Sequence, residues 1–224
     1  MSRASSKRLL VVAAHPDDET FGCGGTIALE ANRDSEVTVC CLSGTPLRHQ
    51  ELNAACEILG AKVIALKGKD LQLTVPEATK ALIPIIQDTQ PEVIISHSAD
   101  DYHPDHQAVH QAVQQATEWA GHATKFKKKA WRPKRLFNME INTLHSHPTL
   151  LLDVSEVIEL KTKAISEYRS QLKKTDEYYL MFNLQKARLR GIQAGCEYAE
   201  AFREDLIPVH GPFYHPTPIT KTIF

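Results

Sequence analysis

Four short apolar runs, each followed by a stretch with helical spacing, constrain this chain more than any other feature in it. The runs are Arg8–Ala14, Glu36–Leu42, Lys62–Leu66 and Glu92–Ser96. The first is continuously apolar, the pattern of a strand buried on both faces. Between and after the runs, Gly24–Arg33, Arg48–Leu59, Pro76–Asp88 and Pro104–Glu118 read as helices. Gly60 is a stop signal for the second helix, and Pro104 suits the first position of the fourth. Pro84 falls within the third. Farther on, Arg135–Ile141 and Leu150–Val154 read as strands, and Glu156–Tyr168 and Glu177–Gly195 as helices. Strands alternating with helices predict a parallel sheet covered on both sides. The expected fold is a Rossmann-like three-layer α/β/α sandwich with a mainly parallel sheet.

Composition narrows the class. The chain has 224 residues, 42% of them hydrophobic, enough for one sizeable core and one domain over residues 1–224. The net charge of −1 gives no field to attract nucleic acid or an anionic membrane. The basic stretch Lys125–Arg135 reads as a solvated loop rising to an edge strand rather than a nucleic-acid contact. Leu9–Ala14 is too short for a signal-peptide core or a membrane span. The five cysteines are odd in number and form no CxxC pair, which predicts reduced thiols and a cytoplasmic protein.

The chemistry gathers at two strand ends. His15, Asp17 and Asp18 follow the first strand; His103, Asp105 and His106 follow the fourth. In parallel α/β sheets, ligands bind beyond the carboxyl ends of the strands. If these strands are neighbours, the two clusters meet. Two histidines and a carboxylate form the ligand set of an open zinc site, and a spare carboxylate beside them can act as general base. Each cluster also has a plain structural reading. "HPDDE" can cap a helix, and "HPDH" can be a proline-initiated first turn. Their joint occurrence at strand ends favours the metal. His110 reads as an ordinary helix residue. "FGCGGT" lacks the G-x-G-x-x-G phosphate fingerprint, and Cys23 reads as a small residue in a tight place.

"AHPDDETFGCGGT" (Ala14 to Thr26) and "HPDH" (His103 to His106) resemble the LmbE/PIG-L family of zinc-dependent N-acetylglucosamine deacetylases. Arg48, Glu51, Ala55, Leu59 and Gly60 fit that family's "RxxExxxAxxxLG" helix, and "CEYAEAF" (Cys196 to Phe202) is similar to its closing segment. The resemblance implies zinc ligands His15, Asp18 and His106. It implies Asp17 as general base, His103 as acid or oxyanion stabiliser, and Arg48 as a substrate contact. Zinc lowers the pKa of bound water from 15.7 towards about 7, and the resulting hydroxide would attack the acetamide carbonyl. A His/His/Asp site accepts iron as well as zinc. Asp105 is expected to support a ligand or cap the helix. The implied partner is a small N-acetylated amino sugar, and relatives often form homo-oligomers.

One departure bears on the substrate. The family's longer glycine-rich loop after the second strand is here the short "LSGTPLRHQE". The segments Ser166–Lys174 and Glu197–Asp205 are expected to close over the sugar, with Tyr102, Arg169, Glu197, Tyr198 and Arg203 as candidate contacts. Two other readings remain open: a metal hydrolase of another amide or ester, and a non-catalytic sugar- or nucleotide-binding module.

Overall fold

The computed structural model of the protein describes residues 7–122 and 130–207, together with the paired backbone at 209–210 and 217–218. The chain runs β1 (Arg8–Ala13), α1 (Asp18–Ala31), β2 (Glu36–Ser43), α2 (Pro46–Leu59), β3 (Lys62–Gly68), α3 (Val75–Thr89), β4 (Val93–Ser96) and α4 (Pro104–Ala120). It continues through β5 (Arg135–Met139), β6 (Leu150–Asp153), α5 (Ile158–Ile165), α6 (Arg169–Leu172), α7 (Tyr178–Ala194) and β7 (Ala199–Asp205). The seven strands lie in the order β3-β2-β1-β4-β5-β7-β6. β1 to β5 pair in parallel, and β7 runs antiparallel between β5 and β6.

From Leu9 onward β1 is apolar because both of its faces are covered. Leu9 and Val11 enter one core with Ile27, Leu52 and Tyr168, while Leu10 and Val12 enter the other with Leu82, Ile94 and Val109. α1, α2 and α5 pack together on the first side, and α3 and α4 pair on the second. The three-layer sandwich expected from the sequence is the observed one.

Three details differ from the sequence reading. α1 starts at Asp18, ahead of Gly24, and breaks at Cys23 (φ −147°, ψ 27°). The break frees backbone N–H groups inside the helix, which require acceptors. Glu200 supplies them, accepting from Gly25 N and Thr26 N at 2.8 Å each, and Lys161 Nζ lies 2.6 Å from the same carboxylate. The glycines permit this approach: a Cβ on Gly25 would sit 2.8 Å from Val154 Cβ. Second, Ala199–Asp205 is a strand that the sequence does not announce. Its first four residues are all buried, so no alternation marks it. Third, the helix expected over Glu156–Tyr168 is a 3-10 turn followed by α5, which stops at Ile165. The helix expected over Pro76–Asp88 is α3, which continues through Pro84 at the cost of a backbone hydrogen bond.

Of the basic stretch, residues 125–129 lie outside the described residues. In the rest, Arg132 pairs with Glu118, Lys134 with Glu92 and Arg135 with Glu204. Among the described residues, no helix is long and apolar enough to cross a membrane. All five cysteines are free thiols.

Candidate metal and catalytic centre

The sheet order creates the site. β1 has β2 on one side and β4 on the other, so the chain reverses direction across the sheet between β1 and β4. Loops leaving the carboxyl ends of such a strand pair open a crevice. Residues 14–18 leave β1 there, and residues 97–106 leave β4. The two sequence clusters meet.

Asp18 is the hub. Its Oδ2 lies 3.3 Å from His15 Nδ1, 3.3 Å from His106 Nε2 and 3.5 Å from His97 Nε2. It also accepts the His15 backbone N–H at 2.8 Å, which fixes the turn that carries both groups. His15 Nε2 lies 3.0 Å from Asp105 Oδ2, and Asp105 in turn accepts from Leu71 N at 2.7 Å. A carboxylate behind an imidazole sets the ring's orientation, the role the sequence suggested for Asp105. On the far side of His106, Nδ1 lies 3.1 Å from Asp101 Oδ2.

This donor set fits a divalent metal. Burial works against charge on both rings, yet Asp18 and Asp105 lift His15 to about 9, and Asp18 and Asp101 lift His106 to about 10. Burial also opposes charge on Asp18, but His106, His15 and His97 hold its carboxyl well below the usual range. The cluster therefore favours positive charge at its centre. The nitrogens of His15, His103 and His106 also lie mutually within 4.8 Å.

Asp17 behaves in the opposite way. Burial pushes its carboxyl well above the usual range; Arg48 counters this, while Asp18 and Glu19 add to it. Arg48 Nη2 donates to Asp17 Oδ2 at 2.6 Å and also to the Pro16 carbonyl. Arg48, expected to meet substrate, lines the cleft with its guanidinium engaged by Asp17. His103 caps α4. Its Nδ1 accepts the Asp105 backbone N–H at 3.2 Å, so the neutral ring carries its proton on Nε2. Burial and the neighbouring imidazoles His106 and His15 hold His103 below its ordinary value.

The cleft over this centre has a volume of about 230 Å³. His15, Asp17, Asp18, Arg48, His103 and His106 all line it, joined by Phe21, Asp70, Ile141, Asn142, Gln171 and Tyr179. A larger apolar cleft of about 340 Å³, lined by Leu9, Val93, Phe137 and Phe202, holds no such cluster. The titratable groups locate the chemistry, not the size of the hollow.

The peripheral expectations fare differently. Ser166–Lys174 contributes Gln171 to the cleft, while Arg169 points to solvent beside Glu167. Tyr102 is exposed and not part of the cleft wall. Arg203 pairs with Asp100 and reaches Ser98, away from the wall. Glu197 lies beside Arg188, Tyr198 packs against the core, and the rest of Glu197–Asp205 is β7, inside the sheet. That segment does not close over the cleft.

Sequence reasoning missed His97 and Tyr179. His97 is fully buried; its Nε2 accepts the Ala14 backbone N–H at 2.8 Å, and its ring stacks on His106 with centroids 4.0 Å apart. A histidine directly after the buried "VIIS" strand was the available signal. Tyr179 stacks on Phe21 at 5.3 Å, and nothing local marks it.

Residues 10–117 match the PIG-L family, described as GlcNAc-PI de-N-acetylase. The chain is 29% identical over 191 residues to a probable N-acetyl-alpha-D-glucosaminyl L-malate deacetylase 2 of Bacillus subtilis, over 74% of this chain and 83% of that one. It resembles the crystal structure of a conserved protein of Thermus thermophilus with TM-score 0.82 at 30% identity, over 92% of this chain and 97% of that one. It also resembles the 4-carboxy-2-hydroxymuconate hydratase of Pseudomonas putida, with TM-score 0.79 at 26% identity, over 92% and 99% of the two chains.

Proposed function

The chain belongs to the PIG-L family of de-N-acetylases, and on that footing we propose that it is a metal-dependent hydrolase removing the N-acetyl group from an N-acetylglucosamine-type or related amino-sugar conjugate. One observation carries the reading: two adjacent buried carboxylates have opposite properties. Asp18 is held ionised among His15, His97 and His106, and Asp17 is made more basic by burial. Environments that drive paired groups apart mark distinct roles.

His15, Asp18 and His106 would hold zinc or iron. Such a metal supplies Lewis acidity, polarising the amide carbonyl and lowering the pKa of a water. Asp17 takes the proton of the attacking water. Arg48 occupies Oδ2, so Oδ1 is the oxygen left to receive it. That proton then passes to the amine nitrogen as the C–N bond breaks, leaving acetate and the free amino sugar. His103 donates its Nε2 proton in a hydrogen bond to the carbonyl oxygen as negative charge grows there. Loss of one such donor typically costs about 10²–10³ in kcat. Phe21, Ile141 and Tyr179 form an apolar wall suited to a sugar face. Free cysteines throughout suit a reducing compartment, and we place the enzyme in the cytoplasm.

The test pairs metal content with acetate release. Wild type and Asp17→Ala are assayed for bound zinc and iron, then offered N-acetylglucosamine, N,N′-diacetylchitobiose and a GlcNAc-malate conjugate. The expected result is equal metal in both proteins, with acetate release lost by orders of magnitude in Asp17→Ala. A wild type that binds no metal, or that consumes 4-carboxy-2-hydroxymuconate while releasing no acetate, overturns the reading.

A further inference from the structure

Asp17 sits at φ 119°, ψ −31°, a backbone conformation that residues with side chains rarely adopt. Such strain persists only where the surroundings over-determine it. The Asp17 carbonyl accepts from Phe21 N at 2.8 Å, and its side chain is held by Arg48. Its N–H donates to Glu19 Oε2 at 3.2 Å. Glu19 is fully buried, so its carboxylate must be satisfied from within the protein. Its other oxygen receives the Thr20 hydroxyl at 2.6 Å and the Tyr168 hydroxyl.

We propose that Tyr168 is a positioning residue for Asp17, acting through Glu19. Tyr168 follows α5, 149 residues from Glu19, and is fully buried. Its ring packs edge-on against Phe21 at 6.1 Å, a contact phenylalanine would also make. The hydroxyl does something different: it anchors Glu19 Oε1, so that Oε2 stays aimed at the Asp17 N–H. Tyr168 touches neither the cleft nor the metal-ligand cluster. Its effect on the reaction is therefore carried by the backbone of the base.

The kinetic half of the test rests on the deacetylase reading; the structural half does not. In wild type, NMR hydrogen exchange is expected to find the Asp17 amide protected. In Tyr168→Phe that amide is expected to exchange at least tenfold faster, while amides of β2 keep their rates and bound zinc per chain is unchanged. With N-acetylglucosamine or N,N′-diacetylchitobiose, kcat is expected to fall at least tenfold with KM within twofold. In an Asp17→Asn background, adding Tyr168→Phe is expected to change residual activity no further. An unprotected Asp17 amide in wild type overturns the proposal. So does a Tyr168→Phe protein with wild-type exchange at Asp17, or one whose β2 amides accelerate equally. If Tyr168→Phe does not fold, Glu19→Gln, which has no second carboxylate oxygen with which to accept the Tyr168 hydroxyl and the Asp17 N–H separately, takes its place in the same comparison. Absence of acetate release from wild type overturns the deacetylase reading, and the exchange data still decide the role of Tyr168.

Discussion

Arg48 Nη2 lies 2.6 Å from Asp17 Oδ2, and the two residues are 31 positions apart. The family resemblance implied a substrate contact for this arginine; it lines the cleft, and its guanidinium also holds the carboxylate beside it. Arg48→Ala is therefore expected to lower kcat by about tenfold or more while changing KM little. A substrate-binding arginine would give the reverse, a raised KM with kcat preserved. Arg48→Lys should recover only part of the loss, because an ammonium cannot engage Asp17 and the Pro16 carbonyl as a planar fork does. Steady-state acetate release separates the two outcomes.

Asp105 sits behind His15 at 3.0 Å. Removing such a partner typically weakens metal affinity by about 10–100-fold. Asp105→Ala is expected to lose metal to a chelator at correspondingly lower concentration, and to regain activity when zinc is supplied in excess. Wild type stripped by chelator should lose acetate release and recover it on adding zinc back. Unchanged chelator competition in Asp105→Ala would assign this carboxylate only to the loop at Leu71 and Leu73, whose N–H groups it also accepts.

Glu200 caps the broken α1 and pairs with Lys161, both side chains being almost wholly buried. Breaking a buried pair from one side leaves an uncompensated charge and typically costs about 3–5 kcal/mol. Glu200→Ala is expected to lose stability on that scale in denaturant titrations. The double variant Glu200→Gln with Lys161→Met should be less destabilised, because no charge is stranded and the amide oxygen still accepts from α1.

Lys186 is buried, donates to the Glu140 carbonyl at 2.6 Å, and is pushed down to about 7 by burial and by the neighbouring Lys161. Between pH 7 and its ordinary value of 10.5, the unfolded chain holds a proton there that the folded chain has released. Stability rises with pH wherever the unfolded state binds more protons. The stability of wild type relative to Lys186→Met should therefore increase from about pH 7 to about pH 10, by up to about 1.4 kcal/mol per pH unit. Below pH 7 the difference should be flat. Chemical denaturation at several pH values reads it directly, and a difference that falls with pH contradicts the assignment.

Much of the fold and the centre of the site could be read from the chain alone. The apolar runs at β1, β2 and β4, the glycine ending α2 and the proline opening α4 are local signals, and each became the element it predicted. That His15, Asp17, Asp18, His103 and His106 would meet if β1 and β4 were neighbours was legible because strand ends in such sheets face the ligand crevice, and a strand end shows in sequence as the point where an apolar run stops. The packing beyond them was not legible. That β4 lies beside β1, that β7 enters between β5 and β6, and that Glu200 caps a helix break 175 residues away are matters of sheet order. The same order places Tyr168 against Glu19, Arg48 against Asp17 and His97 behind His106. In none of these pairs does the local sequence mark the partner. The partner is chosen by long-range packing, where a buried polar group takes whichever complementary group the assembled fold brings within hydrogen-bond reach. The sequence thus specified the elements and the chemistry at their ends. The tertiary structure alone decided which groups hold that chemistry in place.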